Sequence, residues 1–160
     1  MNILALDLGT QTGWAWIGQS SEKTKNPEVS IDSNIAMIDY GNFFSKTYAP
    51  WGKQFLELLE RFTADIVVCS QTNSFGFMNA LKKMYCLYGV VLYLAEKRNI
   101  PVVELNDSQA RKVLLGKGGG KKADAHKLFD QKFPEFSGAT GDEKDALALA
   151  LSWQILNKES

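Results

Sequence analysis

Three aspartates in the sequence stand where a carboxylate costs free energy unless it has a partner. Asp7 interrupts the apolar run ILALDLG, and Asp142 and Asp145 lie three residues apart in TGDEKDALALALSW. Carboxylates that converge on one point repel each other unless cations are present, and hard divalent cations such as Mg²⁺ take oxygen ligands of this kind. Two such ions can activate a water and stabilise the leaving oxygen in phosphodiester hydrolysis. The three aspartates are therefore candidate metal ligands.

Asp7 and Asp142 also have a simpler structural interpretation. Asp7 can cap the turn that follows it, and acids in the first turn of a helix interact favourably with the helix dipole. Thr140 and Glu143 have the spacing of a capping box, which starts a helix at this point. Asp145 is too deep in that helix to be needed as a cap. The acidic pair instead continues the core-facing side of the helix, which is formed by Ala146, Leu149, Ala150 and Trp153.

A basic, glycine-rich segment, ARKVLLGKGGGKK, precedes this last helix. Its basic residues are Arg111, Lys112, Lys117, Lys121 and Lys122. Such a segment suits contacts to a phosphate backbone, although an ordinary solvated lysine loop fits the composition equally well. It does not match the P-loop pattern. His126, the sole histidine, is expected at the surface or in a packing role.

A buried strand ends in polar residues within DIVVCSQTNSFGF, residues 65–77. Ser70 and Gln71 stand at its carboxyl end, where α/β proteins place binding and catalytic groups. Phe75 and Phe77 follow, and aromatic side chains beside a basic site can stack on bases or wedge between them. Because Phe77 falls on the apolar stripe of the next helix, Phe75 is the DNA-binding candidate.

The elements that must position these residues alternate along the chain. Periodicity predicts strands over 3–8, 13–17, 35–44, 66–69 and 101–105. The sequence also predicts helices over 51–62, 76–98, 123–133 and 142–156, and a long polar loop over 19–34. A further short helix ends at Leu115, and either Asn106 or Asp107 can cap its start. We expect a close helix contact at Gly89 to compensate for a glycine inside a helix. Three antiparallel strands, then strands that alternate with helices, predict an α/β mixed sheet with helices on both faces, in the order of the ribonuclease H-like fold.

The bulk composition sets limits on the class of protein. A chain of 160 residues suits one domain over 1–160, and zero formal net charge means that any nucleic-acid contact must come from a local basic patch. Cys69 and Cys86 lack metal-type spacing and are expected to be reduced core thiols, which suits a cytosolic setting. No apolar run approaches the roughly 20 residues of a membrane-spanning helix, and no signal-peptide pattern is seen.

Together these motifs resemble the RuvC family of Holliday junction resolvases, particularly its phage- and prophage-encoded members. The resemblance runs through ALDLGTQTGWA, DIVVCSQ, NALKKMYCLYGVVLYLAEKRNIPVVEL, SQARKVLLGKGGGKKADA and DEKDALALAL. It implies a ribonuclease H-like fold, a homodimer, and cleavage of branched DNA such as a four-way junction with two Mg²⁺ or Mn²⁺ ions per site. It also implies an enzyme that works in the cytoplasm of a bacterial host.

By position, the resemblance gives Asp7 the role of the first-strand metal ligand, and gives Asp142 and Asp145 that of the acidic pair on the last helix. Arg111 falls where the family often has a basic residue that contacts DNA, and Lys122 matches a lysine near the scissile phosphate. The helix over 79–98 resembles the family's dimer-forming helix.

One position departs from the family pattern. The family places a glutamate at the end of the central strand, where an ungapped alignment puts Ser70, followed by Gln71. Gln71 keeps the size and one carbonyl oxygen of glutamate but not its charge, and is the candidate fourth ligand. Three explanations are open: Gln71 is an introduced, inactivating substitution; this form is naturally weak or inactive; or another carboxylate, such as Glu104, supplies the ligand. The first is favoured, because such substitutions are a common way to trap substrate.

The sequence therefore predicts a metal-dependent, structure-selective endodeoxyribonuclease that is impaired if the fourth ligand is missing. Three other functions are compatible with parts of the sequence. A YqgF-like nuclease shares the first-strand aspartate, and a non-catalytic protein that binds branched DNA would use the same basic surface. An actin-like ATPase or sugar kinase has a phosphate-binding hairpin similar to DLGTQTGWA, but such proteins need two lobes.

Overall fold

The computed structural model describes residues 1–18, 28–31, 34–72, 78–116 and 118–158. Its strands are β1 (Ile3–Asp7), β2 (Gln11–Gly18), β3 (Glu28–Ile31), β4 (Asn34–Phe44), β5 (Ile66–Ser70) and β6 (Val102–Leu105). Its helices are α1 (Tyr48–Arg61), α2 (Met78–Glu96), α3 (Asp107–Leu115), α4 (Lys122–Lys132) and α5 (Gly141–Lys158), with a short 3₁₀ turn at Pro134–Phe136.

The strands form one mixed sheet in the order β3-β4-β2-β1-β5-β6. The first four strands along the chain pair antiparallel, and β5 and β6 extend the sheet parallel to β1. The predicted mixed sheet is thus confirmed, but four antiparallel strands open it and not three. The additional strand, β3, lies inside the segment predicted as a loop. Its sequence EVSI alternates polar and apolar residues over too short a span to outweigh Pro27 and the polar run before it. The rest of that segment, 19–27 and 32–33, lies outside the described residues.

Helices cover both faces of the sheet, as predicted. Because successive strand residues point to opposite faces, Ala5 and Val68 belong to one hydrophobic layer, whereas Leu6 and Val67 belong to the other. The first layer packs under α3 and α5, and the second packs under α1 and α2. No helix within the described ranges is long and apolar enough to cross a membrane.

A capping box at the start of helix α5 and a run of buried apolar residues along it hold the helix over β1 and β2. The predicted capping box is present: the Thr140 N–H donates to Glu143 Oε2 at 2.7 Å, and the Glu143 N–H donates to Thr140 Oγ1 at 3.4 Å. Every residue from Ala146 to Leu151 is buried, so the buried surface is wider than the predicted stripe. The helix runs through the core, and its first turn meets the carboxyl end of β1.

Gly13 makes this close approach possible. A Cβ atom at Gly13 in β2 would lie 2.0 Å from the carbonyl oxygen of Asp142 in the first turn of α5. Such a distance is far inside van der Waals contact, so only glycine fits there. Because Gly13 has no side chain, the amino end of α5 can pack directly against the backbone of β2.

Helix α2 differs from its prediction in two respects. A Cβ atom at Gly89 would meet nothing within 4 Å, so the expected close contact is absent within the described chain. Cys86, also on α2, is exposed, and of the two cysteines expected in the core Cys69 alone is buried there. The helix packs through Leu87, Val91 and Ala95, and the predicted stripe was too long because Ala80, near its start, is exposed.

Candidate active site

The structure brings the three predicted aspartates together. One carboxylate oxygen from each of Asp7, Asp142 and Asp145 lies within 4.8 Å of the others. Asp7 is the last residue of β1, and the other two lie near the start of α5. The side chain of Asp7 is 15 % exposed and that of Asp145 is 12 % exposed. Three partly buried carboxylates thus share one small volume.

This crowding changes the protonation of Asp7. Burial first, and the neighbouring Asp145 carboxylate second, raise the pKa of Asp7 from 3.8 to about 7. The Lys122 ammonium opposes the shift, since its Nζ lies 4.0 Å from Asp7 Oδ2 and contacts Asp145 Oδ2 directly. Burial acts to lower the pKa of Lys122, but the hydrogen bond that its ammonium donates to Asp145 and the charges of the nearby carboxylates outweigh it and raise that pKa.

The donor set fits a hard divalent cation. It consists of carboxylate oxygens that can approach one point, and one ammonium group balances only part of their charge. Mg²⁺ and Mn²⁺ favour such oxygen ligands, and a cation there would stabilise the charged form that burial disfavours at Asp7.

His126 belongs to the site, and the prediction of a surface or packing role is wrong. Its Nε2 lies 3.0 Å from Asp145 Oδ1, and its side chain is 22 % exposed. Helix α5 approaches closely here, since a Cβ atom at Gly141 would lie 3.0 Å from His126 Cε1. One signal in the sequence pointed to this residue: Lys122 and His126 are four positions apart and share a face of α4.

The register of the sheet settles which residue stands beside Asp7 at the end of β5. Leu6 pairs with Cys69, so the next pair along the two strands is Asp7 with Ser70, on the same face. Ser70 is 4 % exposed, and its Oγ accepts a hydrogen bond from the Leu8 N–H at 3.0 Å. The position that faces the carboxylates at this strand end is therefore Ser70.

Gln71 is not brought into the cluster. Strand alternation directs it to the other face, where its Oε1 accepts a hydrogen bond from Asn106 Nδ2 at 3.0 Å. The favoured explanation, a glutamate-to-glutamine change at position 71, does not account for the gap, because an acid there would not face Asp7. We correct the predicted fourth position from Gln71 to Ser70.

Glu104 does not supply the ligand either. It pairs with Cys69, whose side chain lies in the layer under α1 and α2. Residues paired across neighbouring strands share a face, so Glu104 points away from the carboxylates. Its Oε1 lies 3.4 Å from the backbone nitrogen of Thr72. This alternative is wrong for a geometric reason that the sequence did not show.

The basic residues fall into different environments. Lys112 and Lys121 are exposed, whereas Arg111 is half-buried and lines a small cavity with Asp145. The glycine segment folds back on α3: the Ser108 hydroxyl donates to the Gly118 carbonyl oxygen at 2.9 Å. The segment that follows leads into α4, whose first residue, Lys122, contacts Asp145. Lys117 and Phe75 lie outside the described residues, so their predicted contacts with DNA stay predictions.

Comparison with known proteins gives one consistent set of relatives. No family model matches the chain. The crossover junction endodeoxyribonuclease RuvC of Xanthobacter autotrophicus is 27% identical over 162 residues, which cover 95% of this chain and 88% of that protein. RuvC of Bartonella quintana is 24% identical over 152 residues, which cover 94% and 88%.

Solved structures agree with the sequence relatives. Thermus thermophilus RuvC superposes with a TM-score of 0.74 at 18% identity and covers 99% of this chain and 96% of its own. The same protein in complex with a Holliday junction substrate gives 0.76 at 16% identity, covering 100% of this chain and 97% of its own. The Fowlpox virus resolvase in its Holliday junction complex gives 0.60 at 17% identity, covering 98% and 99%. The resemblance predicted from the motifs is confirmed, and the ribonuclease H-like fold is shared with these resolvases.

Proposed function

We propose that this RuvC homologue is a structure-selective endodeoxyribonuclease that hydrolyses phosphodiesters in Holliday junctions or related branched DNA. The observation that carries the proposal is the convergence of Asp7, Asp142 and Asp145 within 4.8 Å, with Lys122 in contact with the cluster. Its sequence relatives are crossover junction endodeoxyribonucleases, and a structural neighbour was solved with a Holliday junction.

The three aspartates would hold two Mg²⁺ or Mn²⁺ ions. Such ions, when bound, activate a water and stabilise charge on the leaving oxygen. The chain contributes fixed ligand positions, because Asp7 ends a buried strand and the other two carboxylates stand on a helix held by Gly13 and the capping box. Preorganised charge of this kind is the protein's main contribution to catalysis.

Lys122 would contact the phosphate that reacts, and His126 would orient the Asp145 carboxylate. The Lys122 side chain is 55 % exposed while its Nζ contacts Asp145, so it can also meet a phosphate oxygen and stabilise negative charge there. His126 holds Asp145 from the opposite carboxylate oxygen, which fixes the direction of that ligand.

The surface beside the site would bind the DNA backbone. Lys112 and Lys121 are exposed and supply charge for phosphate contacts, and we propose the same role for Lys117 and a base-stacking role for Phe75. Arg111, which is half-buried beside Asp145, fits a role in positioning the site better than a direct phosphate contact.

We further propose that 1–160 forms one nuclease domain and that two copies associate through α2. A dimer would place two sites on opposite strands of a four-way junction. The bacterial origin of the relatives supports action in the cytoplasm of a bacterial host, with the phage-like motifs favouring a phage- or prophage-encoded enzyme.

The test is a nicking assay on a labelled four-way junction and on a linear duplex of the same sequence. We expect cleavage of the junction with Mg²⁺ or Mn²⁺, none with EDTA, and little on the duplex. Asp145→Asn should reduce the rate at least about 100-fold while junction binding remains, because it removes a ligand and not a DNA contact. Asp124→Asn changes an exposed carboxylate on α4 and serves as the matched control.

A second candidate, a non-catalytic protein that binds branched DNA, is favoured by one observation. Ser70 gives no charge where a fourth carboxylate would complete the cluster. Tight junction binding with no metal-dependent cleavage by the unaltered chain would select this candidate and overturn the nuclease.

A further inference from the structure

We infer that Asp107 supplies the fourth carboxylate of this centre, in place of the acid that Ser70 does not provide. The inference rests on the proposed function and names a ligand of the same site. The fourth carboxylate would then stand not at the end of β5 but just after the end of the neighbouring strand β6.

The topology of the sheet brings Asp107 to the correct side. Strand β6 runs parallel to β5, and Leu105 pairs with Ser70. Asp107 follows two residues later as the first residue of α3, and α3 packs against α5, which carries Asp145. A side chain at this point approaches the carboxylates from the strand beside the one that lacks an acid.

Asp107 and Asp145 line a common cavity. Its volume is about 10 Å³, and Arg111 and three apolar residues, Ala110, Ala148 and Leu149, complete its wall. A space of this size holds about one water molecule. Within the described chain, Asp107 Oδ1 is shielded from solvent and has no hydrogen-bond partner. A buried carboxylate oxygen without a donor costs free energy, and a cation shared with Asp145 would remove that cost.

Asp107 lies in the first turn of α3, where the helix dipole favours an acid, but it does not cap the helix. Asn106 is the N-cap, since its side chain accepts the N–H groups of Ser108 and Gln109. A hydrogen bond between Asp107 Oδ1 and Arg111 Nε is not formed, because each atom is buried without a partner in the described part of the chain. Burial first, and Asp145 second, raise the pKa of Asp107, as they do for Asp7, although Arg111 and Lys122 oppose the shift. Asp107 therefore shares the electrostatic environment of the cluster.

The test measures metal binding without DNA. Mn²⁺ is titrated by calorimetry into the full chain and into Asp107→Asn. We expect at least a tenfold loss of Mn²⁺ affinity, with an unfolding temperature in EDTA that is unchanged or higher. Asp124→Asn, which removes a first-turn carboxylate from α4, is the matched control and should bind Mn²⁺ normally. Adding Ser70→Glu to Asp107→Asn should recover Mn²⁺ affinity and junction nicking, because the acid returns beside Asp7.

Wild-type Mn²⁺ affinity in Asp107→Asn would overturn the inference and leave the nuclease intact. If the unaltered chain neither binds Mn²⁺ nor cuts junctions, the proposed function fails and the inference fails with it. A readout that needs no variant guards against poor folding: crystals of the unaltered chain soaked in Mn²⁺ should place an Asp107 oxygen about 2.0–2.6 Å from an ion. Ions held by Asp7, Asp142 and Asp145 alone would contradict it.

Discussion

Asp7 is a carboxylate whose charged form is disfavoured by its place in the fold. It ends a buried strand and faces Asp145, and these two causes raise its pKa from 3.8 to about 7. Between those two values the folded chain keeps a proton that the unfolded chain has lost. The free energy of unfolding without metal therefore falls as pH rises from about 4 to about 7.

Asp7→Asn should remove this contribution to the pH dependence, because asparagine does not titrate. The full shift corresponds to about 4 kcal/mol at roughly 1.4 kcal/mol per pKa unit, and relaxation around the charge reduces it. We expect the variant to be about 2 kcal/mol more stable than the unaltered chain at pH 8 in EDTA, and nearly equal at pH 4. Urea unfolding at the two values of pH measures this, and Mn²⁺ should no longer stabilise the variant as it does the parent. A stability difference that does not change with pH would contradict the assignment.

His126 offers a second prediction for a single residue. Its Nε2 lies 3.0 Å from Asp145 Oδ1, so it can orient this proposed metal ligand without belonging to the three-carboxylate group. His126→Ala should lower the nicking rate by about tenfold or more, as is usual for residues that orient ligands. His126→Gln keeps a donor near the same place and should retain more activity. Junction affinity measured in EDTA should match the parent in both variants, and a parallel loss of junction binding would argue for a direct DNA contact.

Some residues of the site could be predicted from the sequence and others could not. The aspartates were predictable because an acid in an apolar strand and an acid deep in an apolar helix both need a partner. His126 was harder to predict: its spacing from Lys122 places the two on one face of α4, but nothing in the sequence says that α4 lies against α5. The choice between Ser70 and Gln71 needed the register of β1 and β5, which depends on long-range pairing and not on local composition.

At the level of elements, the sequence predicted the five α-helices of the described chain but not the 3₁₀ turn at Pro134–Phe136, and the largest errors lie where local and tertiary signals differ. Strand β3 was missed because EVSI is short and follows a polar run, whereas pairing with β4 stabilises it. Gly89 was given a helix contact that the described chain does not contain. Conversely, Gly13 gave no sequence signal of its importance, because its neighbour is more than 120 residues away along the chain.

The packing of α5 on β2 gives the prediction at this scale. Gly13→Ala places a methyl group 2.0 Å from the Asp142 carbonyl oxygen, so α5 must shift. We expect a loss of about 3 kcal/mol in stability, at the upper end for overpacking, together with weaker Mn²⁺ binding. Gly138→Ala is the control, because a Cβ atom there meets nothing within 4 Å and the residue is exposed. Chemical denaturation separates the two variants, and equal stability would show that α5 does not approach β2 as described.

The molecule as a whole has zero formal net charge, so the proposed affinity for DNA would have to come from the local arrangement of its basic residues and from the proposed pairing of two copies. One face of the described chain suits that pairing. An open apolar groove of about 500 Å³ runs between α1 and α2, lined in part by Leu56, Val90 and Tyr93. Tyr85 and Tyr93 on α2 are 55 % and 58 % exposed, and Gly89 lies between them on the same side of the helix.

Tyr93→Glu should therefore break the proposed dimer without unfolding the chain. The side chain is mostly exposed in a single copy, so the substitution costs the monomer little, whereas a dimer would bury two new charges against an apolar surface. Sedimentation equilibrium should show a monomer, and the paired nicks on opposite strands of a junction should become independent single nicks. Tyr93→Phe keeps the ring and should remain a dimer with coupled cleavage. If Tyr93→Glu stays dimeric and still cuts both strands together, the two copies associate through another face, and the geometry proposed for the junction must be rebuilt around it.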